Sequence, residues 1–246
     1  MFRTRLAQSA DDLRAAQGLR YRVFVEELGA GGPLVDHAAR REIDARDAFA
    51  DHLLLEDMSR PDAPVIGVYR LMTSAQAAMA GGFATAAEFD LAPLFLTGRP
   101  VLELGRSCLL PAYRGGPAMM HLLAGLARLP AVTPDTVLFG VASFHGTDMA
   151  SLAAPLAYLH HNHLADQALR VRAIGPGRDI RADTPDRKAA LRRIPPLIKA
   201  YLRFGGVVGE GAFVDTVFNT TDVCMILDAG AMTADQRRRL TAVRLR

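Results

Sequence analysis

Apolar and polar positions along this chain switch between a helical period and a strand period, and each switch marks an element. In SADDLRAAQGLRYRVFVEEL, apolar residues recur at helical spacing through Leu13, Ala16, Leu19 and Val23. Ser9 has the chemistry of an N-cap, and two aspartates fill the first turn. A loop rich in glycine and charge follows. HLLLEDM and PVIGVYRLMTS then predict two strands joined by a turn at Arg60 to Ala63, an antiparallel pair. PVLELGRSCLL predicts the next strand, and MMHLLAGLARL, behind Pro117, a short helix. TVLFGVASF is almost continuously apolar, which predicts a strand in a sheet interior. TDMASLAAPLAYLHH predicts a helix capped by Thr147, with a kink at Pro155. ALRVRAI is strand-like. DTPDRKAALRRI predicts a helix with Pro185 at its start, and PLIKAYLRF a helix that ends at Gly205 and Gly206. AFVDTVF and TDVCMILD close the chain as strands, before a basic helix from Thr233.

No internal repeat, low-complexity linker or break in composition interrupts this order, so one domain is expected over residues 1–246. Its basic C-terminal extension, from about residue 180, is expected to pack on the rest. At 246 residues and 50% hydrophobic content the chain can bury one large core. No run reaches the roughly 18 apolar residues of a membrane span. The N-terminus, MFRTRLAQSADDL, lacks the apolar core of a signal peptide, so a cytoplasmic protein is expected. Cys108 and Cys224 lie in apolar runs and read as buried free thiols rather than as a disulfide or metal pair.

Charge changes the picture at one end only. The net charge is +3, and residues 181–246 hold 12 Lys and Arg against 7 Asp and Glu. Arg187, Lys188, Arg192, Arg193, Lys199 and Arg203 form one cluster, and Arg237, Arg238, Arg239, Arg244 and Arg246 another. Such clusters suit an acidic protein or an anionic membrane surface, and an ordinary solvated face accounts for them equally well. Nucleic acid fits worst, because no aromatic residues interleave the arginines to stack on bases.

The chemistry concentrates in PVLELGRSCLL. Glu103 and Arg106 interrupt a run that otherwise reads as buried strand, and burying charge is costly unless it is paired or put to use. In a regular strand the two would face opposite ways; a bulge at Gly105 would turn both heads to the same side. An acid and a guanidinium beside a bulged strand suit acyl transfer. Other polar features have plainer readings. His160, His161 and His163 lie at a helix C-terminus, where the macrodipole favours them, and the acidic or cysteine partners of a zinc site are not evident nearby. His145 reads as a turn residue, and Ser143 lacks the elbow of a nucleophilic serine. Asp215, Asn219 and Asp222 are explained by turn chemistry, although Asp215 interrupts a strand and a role near an amine acceptor stays open.

The element order of strand, helix, strands, then alternating strand and helix is that of the GNAT acyltransferase superfold, and particular residues sharpen the likeness. The chain resembles the acyl-homoserine-lactone synthases. Arg20 and Phe24 stand four apart as in those enzymes, EIDARD carries Glu42, Asp44 and Asp47 in their acidic pattern, Arg70 sits in GVYRL, and Glu103 with Arg106 matches their E-x-x-R pair. It resembles still more closely their relatives that acylate the α-amine of ornithine to make lyso-ornithine lipid. RVFVEELGA, EFDL, LELGRSCL, PPLIKAYLRFGG and FVDTVFNTTDVCMIL carry that likeness, over about residues 18 to 228. Two features depart from the pattern. The synthases' tryptophan is missing, with Ala30 near its place, and YRGGPA only partly matches the pyrophosphate loop, since Tyr113 holds its first position, with Gly116 and Ala118 following.

The resemblance implies a single GNAT-like α/β domain with a mixed, mostly antiparallel sheet. It implies an enzyme that moves a 3-hydroxylated fatty acyl group from acyl carrier protein to an amino acid, ornithine or a similar one such as glutamine. No separate cofactor is needed, because the acyl group rides on the carrier's phosphopantetheine; the incomplete loop suits that arm better than coenzyme A, and an acidic carrier would give the C-terminal arginines a partner. Glu103 is expected to act as base and Arg106 to stand beside it; desolvation would raise the carboxylate's pKa and Arg106 would lower it. A backbone amide near Ser107 would hold the oxyanion, and Arg114 a phosphate. Arg20, Phe24, Asp44, Asp47, Arg70 and Asp215 are candidate substrate contacts. The carboxylates among them would meet the δ-ammonium and an arginine the α-carboxylate. Arg20, Arg70, Asp44 and Asp47 have the alternative of an ion-pair lattice that holds an N-terminal lid. A homoserine-lactone synthase, and a non-catalytic acyl-binding module at a membrane surface, are the rival readings.

Overall fold

The computed structural model describes residues 1–175, 180 and 187–243. Two compact units share the chain: residues 1–82, 103–132 and 234–246 form the first, and residues 83–102 and 133–233 the second. In the first unit, β1 (Phe2–Leu6) leads to α1 (Ala10–Arg20), whose N-cap Ser9 accepts from the Asp12 amide at 3.1 Å. The helix does not simply run on. From Tyr21 to Glu27 it widens into a π-helical segment, a local form common at functional sites. Two short strands, β2 (Val35–Asp36) and β3 (Arg41–Glu42), and a 3-10 turn at Ala45–Ala48 follow. β4 (Asp51–Asp57) and β5 (Val65–Thr73) then form the predicted antiparallel pair, before α2 (Ser74–Met79).

In the second unit come β6 (Phe89–Asp90) and α3 (Ala92–Leu96). Strand β7 (Val101–Leu109) carries the chain back into the first unit, where α4 (Ala118–Leu126) starts behind Pro117 as expected. The second unit resumes with β8 (Val137–His145), α5 (Met149–His163) and β9 (Arg172–Ala173). After α6 (Arg187–Arg193) and α7 (Pro196–Arg203) come β10 (Val207–Val208), β11 (Phe213–Asp215) and β12 (Thr220–Asp228). α8 (Ala234–Thr241) belongs to the first unit.

Strand order is β1-β4-β5-β7 in the first unit; in the second, β8 pairs β12, which also pairs β10 and β11, all antiparallel. In the first unit Ala16, Leu19 and Val23 of the opening helical stretch bury against Leu54, Val68 and Cys108 of β4, β5 and β7. The helical period seen in the sequence is thus the face that meets the sheet. Fully burying one such side chain stabilises by about 1.5–3 kcal/mol.

Strand β1, the first element of the expected order, carries two arginines that both meet Glu56, at 2.7 Å from Arg3 and 2.8 Å from Arg5. Three local expectations change. The cap of α5 is Asp148, not Thr147; its carboxylate accepts from the amides of Ala150 and Ser151. ALRVRAI contributes only the two residues of β9, which pair antiparallel with β6, Ala173 opposite Phe89 and Arg172 opposite Asp90, while backbone hydrogen bonds to Glu210 tie down its other side. The glycine expected to bend β7 is not the residue with unusual backbone: Arg106, not Gly105, takes the left-handed conformation, at φ 50°. Pro185 and the start of its helix lie outside the described residues.

Candidate active site

Three arginines and three carboxylates from distant parts of the first unit interlock. Arg20 leaves the end of α1, fully buried, and donates to both carboxylate oxygens of Asp47, at 2.9 and 2.6 Å. It also donates to the Glu42 carbonyl at 2.6 Å, and its Nε lies 2.6 Å from the Glu42 carboxylate. Arg70, from β5, donates to Asp44 at 2.6 Å and stands 3.6 Å from Asp47. Arg106 donates to Glu42 at 3.0 Å and to Asp44 at 3.2 Å.

EIDARD can serve all three arginines because it starts at the end of β3 and turns at once into a capped 3-10 turn. Asp44 is that turn's N-cap, and Asp47 reaches back to the Asp44 amide at 3.3 Å. Gln17 and His52 complete the surround, donating to or contacting Asp47. The expected lattice therefore exists, and it includes Glu42 and Arg106 as well.

Electrostatics follow the geometry. Burial pushes the Asp44 and Asp47 carboxyls up, yet the adjacent Arg70 and Arg20 outweigh it and hold both below the usual carboxylate range. Burial likewise opposes charge on Arg20, and Asp47 with Glu42 more than compensates. Burial lowers His52, so its imidazole stays neutral beside the lattice.

Beside this set, β7 carries Glu103, Arg106 and Ser107, the residues expected from the sequence to take part in chemistry. Glu103 is 1% exposed in a wall of leucine and valine. Arg106 is part-exposed, and its left-handed backbone, costing roughly 1–2 kcal/mol for a residue with a Cβ, is held by its two carboxylate contacts. Two donor groups nearby have no hydrogen-bond partner: the buried hydroxyl of Ser107, and Nε with Nη2 of Arg70. That edge of Arg70 faces the Gly105 backbone, 3.6–3.7 Å from where a Cβ would stand.

The remaining sequence candidates are placed as follows. Phe24 is half-buried against the core built on Ala16 and Leu19. Arg114 forms a two-pronged ion pair with Glu27, at 2.5 and 2.8 Å, and donates to the Leu109 carbonyl. Asp215 lies in the second unit at the end of β11, where its Oδ1 accepts from the amides of Val217 and Phe218. Glu88 carries no signal of its own in the sequence beyond lying in EFDL, and the fold brings it to Asp215 and Asp222. His160, His161 and His163 enter no such grouping among the described residues. Of the C-terminal cations, Lys188, Arg192, Lys199 and Arg203, with Leu191 and Leu202, line one cavity of about 610 Å³ in the second unit. No helix among the described residues is long and apolar enough to cross a membrane.

Residues 19–124 match the family model described as an acetyltransferase (GNAT) domain. The backbone resembles that of the CoA-dependent acyl-homoserine lactone synthase BjaI, solved with MTA: the TM-score is 0.53 at 14% identity, over 98% of this chain and 89% of that one. The chain is thus an acyltransferase of the GNAT α/β fold. It is 53% identical over 241 residues to the L-ornithine N(alpha)-acyltransferase of Rhodobacter capsulatus, covering 96% of this chain and 93% of the relative. To the protein of that name from Brucella abortus it is 42% identical, over 91% of this chain and 83% of the relative. The chain belongs to the L-ornithine N(alpha)-acyltransferase family.

Proposed function

We propose that this enzyme joins a fatty acyl group, delivered as a thioester on acyl carrier protein, to the α-amine of L-ornithine, giving a lyso-ornithine lipid. The 53% identity across nearly the whole of a relative with that activity carries the reading of the acceptor. A 3-hydroxylated acyl chain rests on the family resemblance alone, and the carrier donor on the chemistry of the chain itself. The cationic, leucine-lined cavity of Lys188, Arg192, Lys199 and Arg203 suits an acidic carrier, which brings its own phosphopantetheine and leaves no need for a separate cofactor. Such a carrier works in the cytoplasm, and the same cations suit an anionic membrane face on which a lipid product is released.

In this mechanism the α-ammonium first loses a proton to Glu103, directly or through a water. Its nitrogen then attacks the thioester carbon, the carbon–sulfur bond breaks, and the carrier thiolate leaves and takes up a proton. The oxyanion formed on the way is met by a β7 amide or the unpartnered Ser107 hydroxyl; one such donor is worth about 3–4 kcal/mol of barrier. The free edge of Arg70 offers a fork to the acceptor's α-carboxylate. Arg20 is taken up by Asp47 and Glu42, and Asp44 in turn fixes Arg70 and Arg106.

The test uses purified protein with 3-hydroxyacyl carrier protein and L-ornithine, reading free carrier thiol and the lipid mass. Thiol release and acyl-ornithine are expected. Glu103→Gln should lower turnover about 10²–10⁴-fold with an unchanged circular-dichroism spectrum. Undiminished turnover in that variant removes Glu103 from the role of base.

A further inference from the structure

Strand β7 has a gap in its side chains at Gly105, and the gap stands before an edge of Arg70 that its neighbours leave unused. Arg70 is 1% exposed. Its Nη1 is taken by Asp44 at 2.6 Å, with Asp47 3.6 Å away, whereas Nε and Nη2, both buried, have no hydrogen-bond partner. Leaving a charged donor edge buried and unpaired is costly, so this edge is the mark of an anion that is held there in the working enzyme.

Nothing in the packing asks for glycine at this position. A Cβ on Gly67 of β5 would stand 2.5 Å from the Leu109 side chain, and one on Gly125 of α4 would stand 2.6 Å from Thr4, so close approach explains both of those glycines. At Gly105 the nearest atoms to such a Cβ, outside the residues on either side, are Arg70 Nη2 at 3.6 Å, Nε at 3.7 Å and the Arg70 carbonyl oxygen at 4.0 Å, all ordinary contacts. The backbone of Gly105 is not left-handed either; Arg106 takes that conformation. With neither reason present, glycine only weakens the strand that holds it.

The same distances place the gap on the guanidinium. Its central carbon is no nearer than 4.0 Å, farther than either nitrogen, so the position lies ahead of the Nε–Nη2 edge; over the flat face that carbon would be as near as the nitrogens. A carboxylate gripped by such an edge through two parallel bonds of about 2.8 Å has its carbon about 3.6 Å from each nitrogen. A side chain at 105 would put its Cβ where that carbon belongs. Gly105, Arg106 and Ser107 are the half-buried stretch of a strand that is buried at both ends, so a ligand can approach β7 at this point. Glu103, two positions back in the strand, shares the face of Gly105, which sets the α-amine of a carboxylate held there on the side of the proposed base.

We propose that Gly105 determines specificity: with no side chain, it leaves the room in which Arg70 takes the α-carboxylate of the acceptor, and so limits the enzyme to amino acids rather than plain amines. The inference rests on the reading of ornithine as acceptor and adds the residue that decides it.

The experiment compares L-ornithine with putrescine, the same diamine without the carboxylate, as acceptors for wild type and for Gly105→Ala, with 3-hydroxyacyl carrier protein as donor. The expected wild-type preference for ornithine in kcat/KM is about 100-fold or more, because a site built for a polar group rejects the analogue lacking it. The alanine variant should lose at least about tenfold of that preference, chiefly through a raised KM for ornithine, while the KM for the acyl carrier protein holds. Its urea midpoint should equal or exceed that of wild type, since alanine fits the backbone and meets no clash.

An alanine variant that keeps the full ornithine preference overturns the proposal, as does a wild type that takes putrescine as readily as ornithine. A urea midpoint well below that of wild type makes Gly105 a packing residue and overturns it too. A raised KM for the carrier, with that for ornithine unchanged, assigns the gap to the thioester instead. A wild type that leaves ornithine unacylated fails the acceptor assignment itself, which separates the two failures.

Discussion

Arg106 Nε lies 3.0 Å from Glu42 Oε1 across 64 residues of sequence, and Arg106 makes that contact from a left-handed backbone at φ 50°. The ion pair and the backbone conformation hold each other in place. A residue 106 with ordinary extended backbone would point elsewhere, and the contacts with Glu42 and Asp44 offset the cost of the left-handed conformation.

Separating the two terms needs two substitutions at one position. Arg106→Ala loses the ion pairs and keeps the backbone cost, for an expected destabilisation of about 2 kcal/mol, moderated because Glu42 retains Arg20. Arg106→Gly loses the same pairs but adopts positive φ freely, so it should be more stable than the alanine variant by about 1 kcal/mol in urea unfolding. Equal midpoints for the two would show that the left-handed conformation stores no strain.

Acid should dismantle the lattice. Asp44 and Asp47 have folded-state pKa values below their unfolded ones, so their contribution is fully present above the unfolded value of about 3.9 and is lost as pH falls toward the folded values. Urea midpoints are therefore expected to be steady from pH 7 to 5 and to drop below pH 4. Asp47→Asn, which takes one of two carboxylates from the buried Arg20 and leaves it Glu42, should cost about 2–3 kcal/mol at pH 7 and flatten the acid limb. An acid limb as steep in the variant as in wild type would assign the loss to other groups.

Cys108 should be inert. Burial pushes its thiol up to about 12, so almost no thiolate exists at pH 8, and Cys224 is equally enclosed. Ellman's reagent is expected to label neither cysteine in native protein and both in 6 M guanidinium. Prompt labelling of native Cys108 would mean that the contact of α1 with β7 opens readily.

The sequence carried much of this fold in its periods. The helical stripe of Leu13, Ala16 and Leu19, the β4–β5 hairpin, Pro117 before α4 and the glycines after α7 all express local rules of pattern and capping, and the structure keeps them. The cap of α5 moved by one residue because Asp148 and Thr147 are both competent and only the final backbone chooses between them. The partner of the arginines in β1 was not legible, because Glu56 comes to lie beside them only once the sheet forms.

For the site, the residue types were legible and the partnerships were not. Charges at 20, 44, 47, 70, 103 and 106 stand out against apolar surroundings, since charge in a buried run always calls for an explanation. Which arginine meets which carboxylate depends on how β3, β5, β7 and the end of α1 converge, and that is set by packing over separations of 22 to 64 residues. Glu88 and Asp222 show the same division. Glu88 carries no signal of its own along the chain and Asp222 reads as a turn acid, and only the fold, with Asp222 opposite Ser143 and Phe213, brings their carboxylates together. Short-range sterics and periodicity are written locally, so sequence determines them; Coulomb interactions depend on distance through space, so only the folded chain decides them.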